Sequence, residues 1–471
     1  MNLGKSLQHF CCWFAILAVC LLPIQASALS IGEERLIGER LLYSVRGEFP
    51  VLDDPDIHHY INELGQQVLT AAGPQFFDYH FYVVLSPQFN AFAAPAGLVF
   101  FYTGLIETMK NEDQLLSVLA HEIGHVVSRH IAQRLDKGGK ISATTMALAL
   151  ASLALGIPAL SQGIFAGSLA AGQALQLHYS RNDEEQADRL SFQWMQEMHR
   201  NPEAMEGMLS TMRRITRYRS GKLPQYLLTH PNPEARLDYV QSMVALDDKQ
   251  QGSYYQPTDN FAFFRFQFRV LQRSMDHEDF RVYCVNAMDA GQDKTRQLLA
   301  HFGMALVESE ELNLEQAMAH LHKVKAAYPG EGILDIDQAV ILADNQRLAE
   351  AREILERVVR RDPEDLYGVY QLGLVEYRLG ELSAAEQRFK KVAKELPEYA
   401  QVYYEQGRVA AALGSQEVSR YYLGLFNLYT GKTKVAKQYL RKAAKDQKVP
   451  EELRDQAQQI LDKLKKLEKA T

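Results

Sequence analysis

The sequence predicts an α+β domain over residues 29–250, a helical connector over 251–292 and an all-α repeat domain over 293–471. Two runs in the first part, Phe81-Tyr82-Val83-Val84-Leu85 and Leu98-Val99-Phe100-Phe101-Tyr102, are aromatic and β-branched and read as strands among segments of helical spacing. In the last part, four positions recur every 34 residues in one register. The composition of the 471 residues, 47% hydrophobic and 23% charged, is that of a globular chain long enough for two or three domains. Fifty-eight acidic against 51 basic side chains, a formal net charge of −7, leave no overall basic field. Nucleic acid is therefore excluded as the main partner.

The first 28 residues read as a signal peptide. Lys5 precedes an apolar run from Phe10 to Ile24, and Ala26-Ser27-Ala28 supplies the small residues of a cleavage site after Ala28. The run contains Pro23 and falls short of the roughly 20 residues that cross a bilayer. Export is the expectation, and with it a periplasmic location. Cys11, Cys12 and Cys20 lie inside this stretch, so only Cys284 remains after processing and no internal disulfide can form.

Leu36–Val45 and Ile57–Ala72 then carry apolar residues at helical spacing, and the Pro95–Gly97 bend sits just before the second strand. A helix opened by Asn111 as cap, with Gln114 three residues on, runs through Leu115, Val118, Leu119, Ile123 and Val126. Met146–Leu160 is almost wholly apolar but is interrupted by Gly156 and Pro158. It reads as a buried or membrane-touching hairpin, the alternatives being a core helix of the domain and peripheral membrane contact. The connector holds Phe261, Phe263, Phe264, Phe266 and Phe268, a density that signals packing.

The repeat register is carried by Ala305, Ala339 and Gly373; by Ala317, Ala351 and Ala385; by Leu321, Leu355 and Phe389; and by Pro329, Pro363 and Pro397. Small residues where two helices touch and a proline ending the second helix resemble the tetratricopeptide repeat. Gly407 keeps the period, whereas Gly424, Ala436 and Leu440 are displaced by half a repeat. Asp446–Thr471 is expected to form a charged capping helix.

The chemistry lies in His121-Glu122-Ile123-Gly124-His125. A spacing of four on a helix puts both imidazoles on one face, where they can bind one Zn²⁺, and leaves Glu122 as general base. Catalytic zinc takes three protein ligands, so a third must come from elsewhere. Ser180-Arg181-Asn182-Asp183-Glu184-Glu185-Gln186-Ala187-Asp188 supplies it. Glu184 and Asp188 share a helical face, so Glu184 can reach the metal while Asp188 accepts the N–H of a ligating histidine. The pattern alone leaves Glu185 as an alternative to Glu184. His130, His178 and His199 have no partner spacing and read as structural or solvated. Extended substrate is expected to pair with an edge at Leu98, Val99, Phe100, Phe101 and Tyr102, since strand addition needs no particular side chain.

These motifs resemble the HtpX/BepA family of zinc metallopeptidases, whose later motif S-R-x-x-E-x-x-A-D is matched by Ser180, Arg181, Glu184, Ala187 and Asp188. Asn90-Ala91-Phe92-Ala93-Ala94-Pro95-Ala96-Gly97 matches the family's N-A-F-A-x-P-x-G. The resemblance implies a zincin-type (gluzincin) metallopeptidase domain, with one Zn²⁺ per chain on His121, His125 and Glu184 and with Glu122 and Asp188 as its catalytic carboxylates. It further implies that His230, in Thr229-His230-Pro231, lies near the metal as a fourth ligand or a transition-state donor. A signal peptide ahead and repeats behind are similar to family members that act in outer-membrane β-barrel assembly. The implied partners are misfolded or unassembled outer-membrane proteins and the β-barrel assembly machinery. The alternative function is a periplasmic chaperone or scaffold that acts through its repeats, its metal site latched by His230 or vestigial.

Overall fold

A computed structural model describes residues 30–133, 179–218, 224–251, 255, 257–289, 291 and 293–469. The leader 1–28, the Met146–Leu160 segment and His178 lie outside the described residues. Helix α1 (Ile31–Glu48) leads into α2 (Pro55–Ala72), which starts where Asp54 accepts hydrogen bonds from the backbone N–H groups of Asp56 and Ile57 and Pro55 presets the first turn. Three strands follow: β1 (His80–Val84), β2 (Ala91–Ala94) and β3 (Leu98–Tyr102). They form one sheet in the order β1-β3-β2, with β1 parallel and β2 antiparallel to β3.

This topology corrects one expectation. Leu98–Tyr102 is the central strand, hydrogen-bonded on both sides, and has no edge for substrate. The reason is the bend at Pro95–Gly97. Ala96 and Gly97 adopt φ of 63° and 88°, which fold the N-A-F-A segment back onto β3 as a third strand. A Cβ on Gly97 would stand 2.9 Å from the Asp78 carbonyl, so the turn requires glycine twice over. Leu98, Phe100 and Tyr102 pack into one cluster with Leu41 and Phe49, while Val99 and Phe101 join the main core. Burial on both faces explains why the strand reads as an unbroken apolar run.

Beyond the short helix α3 (Thr103–Thr108) lies α4 (Glu112–Val127), the helix of the H-E-x-x-H sequence. The Asn111 side chain accepts from the Gln114 N–H at 3.0 Å, as its place as cap predicts, while Gln114 Oε1 reaches one residue further back and accepts from the Lys110 N–H at 2.9 Å. Helix α5 (Arg181–Glu197) opens with a capping box of Ser180 and Asp183. It packs on α4 at close range: a Cβ on Gly124 would lie 3.2 Å from Ala187 Cα, so the glycine inside the histidine motif sets the helix separation. Helices α6 (Glu203–Tyr218), α7 (Gln225–Thr229) and α8 (Pro233–Gln251) complete this part.

Helices α9 (Phe261–Ser274) and α10 (His277–Asp289) form the connector. Phe263, Phe264, Phe266 and Phe268 are buried in a core that runs without a break from Leu52 to Ile341. The boundaries read from sequence mark changes of pattern, while the core crosses them. A buried ion cluster crosses them too. Arg265 reaches Asp56 at 2.8 Å and Asp337 at 2.7 Å, and Arg269 reaches Asp54 and Asp56, each at 2.8 Å.

The repeats are α11 (Lys294–Glu310), α12 (Leu314–Ala327), α13 (Ile333–Asp344), α14 (Leu348–Arg361), α15 (Leu366–Arg378), α16 (Leu382–Glu395), α17 (Ala400–Ala412), α18 (Gln416–Tyr429), α19 (Thr433–Lys445) and α20 (Glu451–Lys469). At Gly373 an added Cβ would meet the Phe389 ring at 2.9 Å, which shows why the 34-residue register keeps that position small. The half-repeat displacement has a simple basis. Helix α18 packs against both neighbours, meeting Gly407 of α17 through Leu423 and presenting its own Gly424 to Leu440 of α19. It is the second helix of one hairpin and the first of the next. Glu398, between α16 and α17, returns the array to the first domain by accepting from Arg46 at 3.2 Å and from the Tyr82 hydroxyl at 2.9 Å.

Candidate metal centre

Helix α4 places His121 and His125 one turn apart, with their Nε2 atoms 3.1 Å from each other. Glu184 comes from α5, its carboxylate oxygens 3.6 Å from His121 Nε2 and 3.6 Å from His125 Nε2. His230 ends α7 and brings Nδ1 to 3.0 Å from Glu184 Oε1 and 3.4 Å from His121 Nε2. One ligand atom from each of these four buried residues lies within 4.8 Å of the others. The Glu184 or Glu185 choice resolves by burial, since Glu184 is buried and Glu185 exposed.

Glu122 turns the other way, with Oε1 3.5 Å from His230 Nε2. Among the described residues neither oxygen of Glu122, nor His230 Nε2, makes a hydrogen bond of good geometry, although all are buried and the Tyr226 side chain stands near enough to Glu122 to stabilise its charge. Orphaned polar atoms at full burial are costly, and a cation with its water relieves them. Two or three imidazole nitrogens with one carboxylate is a donor set suited to zinc and other divalent first-row metals. The residues therefore fit a metal.

Each α4 histidine is oriented from behind. Asp188 Oδ1 lies 2.9 Å from His121 Nδ1, as the sequence pattern predicts, and Arg236 grips Asp188 with Nε at 2.8 Å and Nη2 at 2.7 Å. Burial alone would raise the Asp188 pKa, but Arg236 and His121 hold it well below the usual carboxylate range. Glu184 behaves oppositely: burial pushes it up to about 7 in the metal-free protein, against the pull of Arg236 and His121. Burial also lowers His125 well below its ordinary value and His230 to about 3, so both rings are neutral with lone pairs free for a metal.

His130 corrects the reading of that residue as structural or solvated. Its Nδ1 lies 2.9 Å from His125 Nδ1, and its Nε2 lies 3.2 Å from Gln186 Oε1. With Asp188 behind His121 and His130 behind His125, both Nε2 atoms are left facing the metal position. Helical spacing gave no hint of it, because α4 ends at Val127 and Arg129 at φ 53° folds the chain back. Tyr179 stacks on His125 with ring centroids 3.6 Å apart, and Tyr226 stacks on His230 at 4.2 Å.

This arrangement ranks a set of variants. Glu184→Gln should lower zinc affinity strongly and Glu185→Gln hardly at all. Asp188→Asn and His130→Ala should each lower it by about 10–100-fold, because they loosen a ligand without removing it. Competition titration with a chromogenic chelator reads all four; a larger loss in Glu185→Gln than in Glu184→Gln would break the ligand assignment.

Residues 53–244 match peptidase family M48. The chain is 29% identical over 351 residues to the beta-barrel assembly-enhancing protease of Escherichia coli (strain K12), covering 70% of this chain and 68% of that protein. It is likewise 29% identical over 357 residues to the Yersinia pestis protein of that name, covering 74% and 70%. A mitochondrial metalloendopeptidase OMA1 from Schizosaccharomyces pombe is 29% identical over 222 residues, 46% of this chain and 62% of that one. Among solved structures, the tetratricopeptide-repeat protein YrrB aligns with 38% of this chain and 91% of its own at 18% identity and a TM-score of 0.27. The histidine pair, Glu184 and His230 all fall inside the matched span, and residues 53–244 are a metallopeptidase domain of family M48.

Proposed function

We propose that the protein is a zinc-dependent endopeptidase of the periplasm that cleaves misfolded or unassembled outer-membrane β-barrel proteins, with the repeats holding a client or the assembly machinery. The observation that carries the proposal is the convergence of His121, His125 and Glu184 beside the buried carboxylate of Glu122. The location rests on the leader pattern of residues 1–28, and the client class on the similarity to beta-barrel assembly-enhancing proteases. Among the described residues no helix is long and apolar enough to cross a membrane.

His121, His125 and Glu184 would hold the zinc, which when bound polarises a carbonyl and acidifies water. Glu122, its carboxyl held above the ordinary pKa chiefly by burial, takes a proton from the attacking water and passes it to the leaving amine. Asp188 and Arg236 keep His121 in the tautomer that presents Nε2. Substrate main chain pairs with β2, Ala91–Ala94, which among the described residues has a strand on one side only and replaces the Leu98–Tyr102 strand in this role.

His230 sits where a fourth ligand would, and a ring there keeps water from the position hydrolysis needs. The chain is thus latched until client or partner draws His230 aside. The test is cleavage of an unfolded outer-membrane barrel protein by full-length protein. Parent should act slowly and His230→Ala severalfold faster with zinc retained, both stopped by a chelator. A slower His230→Ala enzyme with full zinc would make His230 a transition-state donor. No chelator-sensitive cleavage by either would favour the scaffold reading.

A further inference from the structure

Helix α6 separates two cavities. Met205, Met208, Leu209 and Met212, spaced i, i+3, i+4 and i+7, line a cavity shared with His121, Asp188, Tyr226 and Arg236. A second stripe with the same spacing, Ser210, Arg213, Arg214 and Arg217, faces away from the first and, with Thr211 and with Lys110 just ahead of the α4 cap, lines a separate cleft of about 360 Å³. Among the described residues the four cations of this cleft, Lys110, Arg213, Arg214 and Arg217, form no ion pair or hydrogen bond through their charged groups. Elsewhere the arginines that border the catalytic domain's interior do find carboxylates: Arg129 reaches Glu34, Arg200 reaches Glu112, Arg236 reaches Glu184 and Arg265 reaches Asp56. Four unneutralised cations around one hollow in a chain of net charge −7 repel one another, and an anionic ligand offsets that repulsion.

We infer that this cleft is a substrate subsite for an acidic stretch of polypeptide, a step that rests on the peptidase reading. A peptide fits better than an isolated anion for three reasons. The volume lies in the range that holds a few side chains. The hydroxyl of Ser210 stands beside the cations and can donate to a carboxylate, whereas that of Thr211 already donates to the Gly207 carbonyl at 3.0 Å. The cleft also lies across α6 from the small cavity behind His121, on the side of Asp188 and Arg236; a helix is about 10 Å across and extended chain covers about 3.3 Å per residue, so a polypeptide that passes around α6 from the metal centre reaches the cleft within roughly half a dozen residues. Chains with Asp and Glu a few residues from the scissile bond would be taken in preference to neutral ones.

Two measurements on the full-length protein test this. Binding is read by fluorescence anisotropy on Glu122→Gln protein, with a labelled peptide that carries an Asp/Glu tract and its Asn/Gln counterpart. At about 0.05 M salt the acidic peptide should bind about tenfold tighter, the difference should shrink at about 0.5 M salt, and it should vanish when Arg214→Glu and Arg217→Glu are added. Turnover of the neutral peptide is read separately on proteins with intact Glu122, and the fold of the Arg214→Glu/Arg217→Glu protein is read by its zinc content and circular dichroism, both of which should match the parent's. That control distinguishes a lost subsite from a misfolded protein. Failure of every protein to cleave the neutral peptide would overturn the peptidase reading and leave the anisotropy result standing. Equal affinity for the two peptides, or a preference that survives charge reversal, would overturn the subsite. Arginine-dependent binding to phosphatidylglycerol vesicles with no peptide preference would reassign the cleft to lipid headgroups and overturn it as well.

Discussion

Glu122→Gln protein is expected to keep its zinc and to hydrolyse unfolded polypeptide about 10²–10⁴-fold more slowly than the parent, the range that a positioned general base supplies. The side chain is fully buried, its carboxylate oxygens make no hydrogen bond of good geometry among the described residues, and the neutral His230 ring stands 3.5 Å away. The amide has the same shape and cannot take the proton. His121→Ala and His125→Ala should lose hydrolysis by a different route, because each removes a ligand and the metal with it. Metal content measured beside the cleavage rate separates the two causes. Parental activity in Glu122→Gln would point to another proton acceptor, and full zinc in both alanine variants would remove the metal site from α4.

Arg265→Ala should destabilise the protein by about 3–5 kcal/mol, the cost of stranding a buried charge. Arg265 is 5% exposed and lies between Asp56 of α2 and Asp337 of α13, so its loss leaves two carboxylates in the core with Arg269 as the remaining cation. Burial tends to raise the Asp56 pKa, but Arg265 and Arg269 together hold it below the ordinary value, so Asp56 is ionised in the parent. The cluster ties the peptidase domain to the repeats. Thermal unfolding followed by circular dichroism should show one transition in the parent and an earlier or divided one in the variant. Changing Arg265, Asp56 and Asp337 together to apolar residues of similar volume should recover most of the loss, because no charge is then stranded. An Arg265→Ala melt indistinguishable from the parent's would mean that the aromatic face of α9 and the Glu398 contacts join the two parts without help from the ion cluster.

Much of this was written locally in the chain. Asn111 and Gln114 announce the start of α4, the spacing of His121 and His125 announces the metal face, and the 34-residue register announces helical hairpins. Glu184 and Glu185 are adjacent carboxylates in a charged helix start, and only the packing of α5 on α4 through Gly124 and Ala187 decides between them. What escaped was set by tertiary packing or by turns. Ala91–Ala94 is poor in β-branched residues, so strand β2 left little signal and β3 passed for an edge. His130 comes back to His125 through the positive φ of Arg129, a geometry no periodicity encodes. Arg265 and Arg269 look like the solvated side of an aromatic helix, yet both are buried because their partners come from segments far away in sequence.

The most direct test of the metal-centred account is a zinc titration of chelator-stripped full-length protein, with cleavage of an unfolded polypeptide recorded at each addition. Activity should be absent at the start and rise to a plateau at about one zinc per chain, and Glu184→Gln protein should stay inactive over the same range. Undiminished cleavage by the stripped protein would contradict the account, as would a plateau that Glu184→Gln reaches at the same stoichiometry.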